Sequence, residues 1–330
     1  MKARAEAIRT IARELIASGR VDGVLGYRAG TAIVRAQPFV ARTVEDAEHL
    51  TWNGFCGGNL ATFAPRLVGL WAGKDAMQGG LAVTAQGCVS RNLVGLMQER
   101  QLERGRIHVI GVPCLGMLEP RRVEAKLLGR HLLGVDEEGD NVILHGRHKG
   151  RGFEETFLRR DLLRDNCHTC RHRNPVIMDS PAAEPVPDAT AGNIDAVAAP
   201  WEKLDHKGRW DAFAANYKEC IRCYACRDAC PLCYCPTCFV DESDPQWCGK
   251  TQELPDVMTY HILRAFHCAG RCTDCGACET ACPQALKVRR LTSKLEKDVR
   301  NLWGVEPGME ITASQPLMTF LPGDPQNHFK

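Results

Sequence analysis

Eighteen cysteines in 330 residues define the chemistry open to this chain. Two runs share one spacing: Cys220-x2-Cys223-x2-Cys226-x3-Cys230-Pro231 and Cys272-x2-Cys275-x2-Cys278-x3-Cys282-Pro283. In such a run three closely spaced thiolates wrap one face of a 4Fe–4S cubane, and the fourth, before proline, ligates the cluster of the other run. The two-residue gaps let the loop curl with its N–H groups toward the sulfurs, and Gly276 has no side chain to obstruct that approach. Cluster one is accordingly assigned to Cys220, Cys223, Cys226 and Cys282, and cluster two to Cys272, Cys275, Cys278 and Cys230. Structural zinc also uses C-x2-C pairs, but it needs only four ligands per site and leaves the doubled run and its prolines unexplained. Arg222, Tyr224 and Arg227 lie inside the first run and read as tuning or docking groups, or as ordinary loop surface.

The other cysteines raise two further questions. Cys88 (QGCVS), Cys114 (GVPCLG), Cys167 and Cys170 (NCHTCRHRNP) form a candidate third site. The other reading of Cys88 and Cys114 is as small buried hydrophobes. For Cys167 and Cys170 it is zinc, with His168 or His172. Cys233, Cys235 and Cys238 follow Cys230 in an unusually dense run. Joined by Cys56 or Cys248 they suffice for a further cluster; otherwise they are thiols packed beside the clusters. Cys268, in a helix just ahead of the second motif, reads as unligated.

These groups need a scaffold. The start, MKARAEAIRTIARELIASGR, is an amphipathic helix with Ile8, Ile11, Leu15 and Ile16 on one stripe and no apolar core of a signal peptide. Val21–Gly26, Leu81–Ala85 and Ile107–Val112 read as strands, and Leu93–Glu103 as a helix. The strand–helix–strand order suggests a βαβ unit whose strand-end loops present Cys88 and Cys114. Residues 180–200, with four prolines and few large apolar side chains, read as an extended linker. Asp256–His267 has helical periodicity in Val257, Tyr260, Leu263 and Phe266. It lies between the two cysteine runs, in a stretch longer than a compact bacterial ferredoxin needs. The expected fold is α+β: an N-terminal α/β domain over 1–178, a linker over 179–205, a mainly helical dicluster ferredoxin domain over 206–290, and a C-terminal helix and tail over 291–330.

Composition narrows the setting. A hydrophobic fraction of 44% and a charged fraction of 25% are ordinary for a globular protein, and a net charge of +2 gives no reason to expect a nucleic-acid or anionic-membrane partner. No apolar run approaches the roughly 20 residues of a membrane span. So many cysteines in a large chain without a secretory segment point to a reducing, cytoplasmic setting where thiols stay free for metal.

In sequence order, VDGVLGYRAG, TVEDAEHL, IHVIGVPC and a late C-x2-C resemble the beta-subunit family of deazaflavin (coenzyme F-420) hydrogenases and related formate dehydrogenases, over residues 20–178. The paired-motif region resembles the iron–sulfur subunits of heterodisulfide and fumarate reductases. The first resemblance implies a 4Fe–4S cluster on dispersed cysteines. One stands in a G-x-P-C turn, here Cys114, and two form a C-x2-C pair, here Cys167 and Cys170. Cys88 as fourth ligand follows from its place at a strand end. The family also implies FAD and electron passage between a deazaflavin and clusters. This chain departs from it in having a short N-terminal half and no G-x-G-x-x-G after a strand, which leaves a Rossmann site unsupported. Gly57-Gly58 and Gly79-Gly80 read either as loops admitting a phosphate or as plain turns. Adjacent Cys-Cys pairs, which mark catalytic heterodisulfide-reducing subunits, are absent. The expected function is an iron–sulfur electron-transfer subunit of a multi-subunit oxidoreductase, of formate dehydrogenase, hydrogenase or heterodisulfide-reductase-like type. Its partners would be the other subunits, and it would carry at least two 4Fe–4S clusters, with a third in the N-terminal domain. The alternative is a flavin-containing reductase that oxidises a soluble hydride carrier. A zinc-rich scaffold is the third reading.

Overall fold

The computed structural model of the chain describes residues 1–74, 76–188 and 195–316. The amphipathic start folds as α1 (Lys2–Ala17), which buries Ala5, Ile8, Ala12 and Leu15 at helical spacing against the sheet behind it. In that sheet β1 (Gly23–Ala29) pairs antiparallel with β2 (Ala36–Ala41). After α2 (Val44–Ala47), opened by a Thr43–Asp46 capping box, β3 (Leu50–Thr51) also joins β1 antiparallel. The short α3 (Ala64–Leu67) leads to β4 (Leu81–Ala85), which lies parallel to β1 and is buried along its whole length, as expected of a strand covered on both faces.

The expected βαβ unit is present: β4, then α4 (Gly87–Gln98), then β5 (Ile107–Gly111) parallel to β4. The helix starts at Gly87, earlier than the expected Leu93. A Cβ on Gly87 would collide with the His172 carbonyl, so glycine lets the chain turn into the helix directly at the strand end. Cys88 therefore sits in the first turn of α4 and not in a loop.

After α5 (Pro120–Leu127), opened by a proline at its N-terminus, comes a sheet the sequence reading did not anticipate. Its strands β6 (His131–Glu138), β7 (Asn141–His148) and β8 (Arg151–Leu158) form an antiparallel meander. The turns hold Gly139 (φ +56°) and Gly150 (φ +79°), which supply the left-handed conformation of tight hairpins. Of these strands only β7 buries large side chains, Val142 and Leu144, so the apolar alternation that would have announced a sheet is faint. The sheet is tied to the rest by Arg159, which opens α6 (Arg159–Leu162). Arg159 pairs with Glu137, and both side chains are 3% exposed. Arg159 also donates to the Gly116 carbonyl, while Glu137 accepts from Gly54 N at 2.6 Å.

Beyond α7 (Asp165–Thr169), the stretch read as an extended linker is largely built into the fold. There β9 (Ser180–Pro181) joins β5 parallel, Asn174 and Val186 exchange two hydrogen bonds, and α8 (Asp195–Glu202) packs on a later helix. Its residues 189–194, and 317–330 of the tail, lie outside the described residues. The remainder is helical: α9 (His206–Tyr217), α10 (Ala225–Asp228), α11 (Leu254–Cys268), α12 (Ala277–Ala281) and α13 (Arg289–Trp303). The architecture is thus α+β, an α/β sheet followed by a mainly helical region, as the sequence predicts. Among the described residues no helix is long and apolar enough to cross a membrane.

The two parts are held together by polar contacts, two of them with little access to water. Arg271 forks onto Glu99, whose side chain is fully buried, Asn92 donates to Thr273 Oγ1 at 2.7 Å, and Lys287 reaches Asp165 at 2.6 Å. Removing one partner of a buried pair strands the other charge. Glu137→Ala is therefore expected to lower stability by about 3–5 kcal/mol, measured by urea unfolding under anaerobic conditions. A loss below about 1 kcal/mol would show that the pair contributes no more than an exposed bridge.

Candidate functional site

The two cysteine motifs adopt one backbone shape. The residues flanking the middle cysteine are left-handed in both: Arg222 (φ +52°) and Tyr224 (φ +59°) about Cys223, and Asp274 (φ +56°) and Gly276 (φ +73°) about Cys275. For a side-chain-bearing L-residue this costs roughly 1–2 kcal/mol. It turns successive N–H groups toward a common centre, the geometry that receives an anion. Short helices, α10 and α12, follow the middle cysteine in each motif.

Cys220, Cys223, Cys226 and Cys282 line a single hollow of about 340 Å³, so the crossed set expected for cluster one is gathered in one place. Donors surround its sulfurs. Arg222 N donates to Cys220 Sγ at 3.4 Å, His261 Nε2 lies 3.4 Å from the same sulfur, and the Tyr260 hydroxyl lies 3.5 Å from Cys226 Sγ. Burial, aided by Arg264 and Arg222, pushes the His261 pKa down to about 3, so its ring is neutral; it stacks on Tyr217 at 3.9 Å. Arg222 is not loop surface: it is buried and donates to the carbonyls of Gly249 and Thr251. Arg227 pairs with Asp228 and Asp241.

In the second motif the Cys230 thiol is an electrostatic neighbour of both Cys275 and Cys278, and Cys272 is a neighbour of Cys275. Two side chains from the N-terminal part brace this loop. Asn166 of α7 donates from Nδ2 to the Cys275 carbonyl at 2.9 Å and occupies the space where a Cβ on Gly276 would stand. The Asn59 side chain accepts from Ala61 N through Oδ1, and its buried Nδ2, without an oxygen or nitrogen partner, lies beside the Cys275 sulfur.

Cys88, Cys114, Cys167 and Cys170 line one cavity, although they come from α4, the turn after β5, and α7 with the residue that follows it. Cys272 and Cys275 line the same cavity. Gly116 N donates to Cys114 Sγ and Met117 N to Cys167 Sγ, each at 3.3 Å. Burial, and then the neighbouring Cys167 thiol, push Cys114 up to about 12 and Cys170 up to about 11. Burial pushes Cys88 well up, and the thiols of Cys275, Cys170, Cys114 and Cys167 push it further. Thiols this reluctant to ionise become thiolates when a cationic centre replaces their protons.

A cubane suits this donor set: thiols in fours around a hollow, with N–H groups on the sulfurs and little access for water. A single zinc ion would need four ligands drawn close about one point, and it leaves the rest of each thiol set unused. The histidines proposed for it are engaged elsewhere, His168 with Arg122 and His172 with Glu306.

The remaining cysteines separate. Cys56 is not with Cys233, Cys235 and Cys238. It is 0% exposed in the core of the N-terminal sheet, where Asn53 N donates to its sulfur at 3.3 Å. Cys248 is buried beside Arg222 and Tyr260, with Cys238 packed nearby. Cys233, Cys235 and Cys238 line a further cavity together with Cys230 and Cys268. The glycine pairs have packing roles. Gly57 leaves room for the Arg164 guanidinium, which bonds its carbonyl at 2.6 Å, and Gly79 N donates to the Asp22 carboxylate, a group that would repel phosphate. Asn59, Asn166 and Arg164 were invisible to motif reading because they belong to no cysteine run.

No family model matches the chain. Two curated relatives align along nearly all of it. The F420-dependent formate dehydrogenase subunit beta of Methanocaldococcus jannaschii is 23% identical, over 92% of this chain and 92% of its own length. The F420-dependent formate dehydrogenase 1 subunit beta of Methanococcus maripaludis is 24% identical, over 94% and 92%. A xenon-derivatised structure of the F420-reducing NiFe hydrogenase complex from Methanosarcina barkeri aligns at 14% identity with a TM-score of 0.39, over 52% of this chain and 59% of that one. The similarity to the formate dehydrogenase beta subunits bears out the resemblance carried by the N-terminal motifs and extends it across the paired-cysteine region.

Gly276→Val adds a side chain where Asn166 stands and a left-handed backbone is needed. It is expected to abolish the paramagnetic signal of the second motif's cluster while the first motif's survives, read by electron paramagnetic resonance of the reduced protein. Retention of both signals would show that the Asn166 contact is dispensable.

Proposed function

We propose that this chain is the iron–sulfur electron-transfer subunit of a multi-subunit, formate dehydrogenase-like oxidoreductase, with three clusters in line. One observation carries the reading. Cys272 and Cys275 of the second motif share a cavity with Cys88, Cys114, Cys167 and Cys170, so the N-terminal site and the second motif adjoin. The order along the line is then the N-terminal set, the set of Cys272, Cys275, Cys278 and Cys230, and the set of Cys220, Cys223, Cys226 and Cys282. The last opens to the surface: Cys223 is exposed, and Ile221 beside it is 45% exposed. That apolar edge suits docking of a redox partner, namely another subunit of the complex.

When bound, 4Fe–4S clusters supply one-electron oxidation and reduction. The chain's residues do the rest. Thiolates in fours hold each centre. Arg222 N, Gly116 N and Met117 N donate to ligand sulfurs, as do Tyr260 Oη and His261 Nε2 once those sulfurs are thiolates. Such donors favour the reduced, more negative state and so raise the potential. Asn166 and the Glu99–Arg271 pair close the seam between the two parts against water. None of the 18 cysteines is paired in a disulfide, which leaves them available to hold clusters in a reducing cytoplasm.

A second reading, a flavin-containing reductase, is favoured by a cleft of about 810 Å³ beside Phe55, Gly58, Asn59 and Phe63 that also touches α12 of the second motif. The relatives are named for F420, a hydride carrier. Hydrides bring two electrons and clusters take one, so a flavin would divide them. Release of a flavin on denaturing the pure protein separates the readings.

Anaerobically purified protein is expected to hold at least the roughly twelve irons and twelve sulfides per chain that three clusters need, and fewer than about eight would overturn the wire. Tyr260→Phe is expected to lower the potential of the first motif's cluster and leave the other two unchanged, read by redox titration. An unshifted potential would remove Tyr260 from its electrostatics.

A further inference from the structure

Cys233, Cys235, Cys238 and Cys268 belong to none of the three sets, yet they line one cavity, with Cys230 as its fifth cysteine. Two separate pieces of chain bring them there. The first three follow the Cys230-Pro231 step in irregular backbone, and Cys268 is the last residue of α11. The Cys233 and Cys268 thiols hydrogen-bond to each other and to Cys230. Cys56, the partner expected from sequence, is sealed in the sheet core, and Cys248 does not line this cavity. Cys268 takes their place.

The charge around the cavity fits an anionic centre. Arg264 stands in its wall, 4% exposed; it donates to the Cys226 carbonyl at 2.9 Å and leaves its Nε without a partner. Arg66, Arg227 and Arg271 complete the ring. Asp228 and Asp241 also line it, and both pair with Arg227; Arg271 is held by Glu99. At about 1630 Å³, mouth included, the space is larger than the 340 Å³ hollow of the first motif. No three side chains in it converge on a single-ion site.

We propose that Cys233, Cys235, Cys238 and Cys268 hold a fourth 4Fe–4S cluster, with Arg264 as its buried counter-charge. It adjoins cluster two through Cys230, whose thiol contacts both Cys233 and Cys268, and reaches the surface at the exposed Cys235. The line of three then has a branch, giving the chain two surface openings, at Cys223 and at Cys235. This rests on the reading that Cys230 serves cluster two.

The test is iron and sulfide analysis with spin quantitation on the full chain, purified anaerobically. The wild type is expected to hold about sixteen irons per chain. Cys233→Ser, Cys235→Ser and Cys268→Ser are each expected to lose about four irons and four sulfides while the spectra of both ferredoxin motifs persist. Cys235 is exposed, so its replacement reports even if a buried variant fails to fold. An unchanged iron content in all three variants would overturn the fourth cluster. So would wild-type protein holding about twelve irons, or zinc in place of iron at this site. Fewer than about eight irons in the wild type would instead overturn the wire itself.

Discussion

Asn166 stands where residue 276 would otherwise carry a side chain, and its amide holds the carbonyl of Cys275 at 2.9 Å. The contact joins α7, the helix that carries Cys167, to the loop of the second motif, so it fixes the distance between two sets of thiols. Electron transfer weakens steeply with separation, and two cluster sites in different parts of a chain are useful only if their spacing is rigid. A single glycine makes the contact feasible: any Cβ at 276 would push Asn166, and with it α7, away from the motif. Glu99 with Arg271, and Asn92 with Thr273, hold the same seam at other points.

Buried cysteines need a second provision, which the arginines supply. A cluster on four thiolates is an anion, and burying it without counter-charge is costly. Arg222, Arg264 and Arg289 are all at least nine-tenths buried and lie in the helical part. Arg289 forks onto Asp274 and reaches Thr169, Arg222 packs behind Cys220 and Cys248, and Arg264 lies between the two motifs. The guanidinium groups of Arg222 and Arg264 are committed to backbone carbonyls and that of Arg289 to Asp274 and Thr169, so each is anchored by the protein itself.

The two cysteine runs were legible because their pattern is local: the spacing of Cys220 to Cys230 and of Cys272 to Cys282 marks two loops of one backbone shape, each with left-handed residues about its middle cysteine. The strands at 81–85 and 107–111 were legible for a similar reason, being short apolar runs buried in parallel pairing, with only His108 partly open. Harder were features set by distant partners. Cys268 reads as an ordinary helical residue until the turn after α11 brings it against Cys233. Cys56 was a plausible ligand by residue type and is instead core. The meander at 131–158 escaped because its strands expose most of their side chains and leave little periodicity, although Gly139 and Gly150 mark its turns. The linker reading of 180–200 rests on proline content, which disfavours helix but allows Ser180–Pro181 to extend a sheet edge, and α8 forms all the same with Pro200 inside it.

The walls of the cavity shared by Cys88 and Cys275 are drawn from residues 57 to 307. A ribosome has therefore to deliver the chain through residue 307 before that chamber exists, and the hollow around Cys220 likewise waits for Cys282. Each nascent half would emerge with reactive thiols and no enclosure for them. Under the proposed reading, iron and sulfide delivery would have to wait until these distant segments have all emerged.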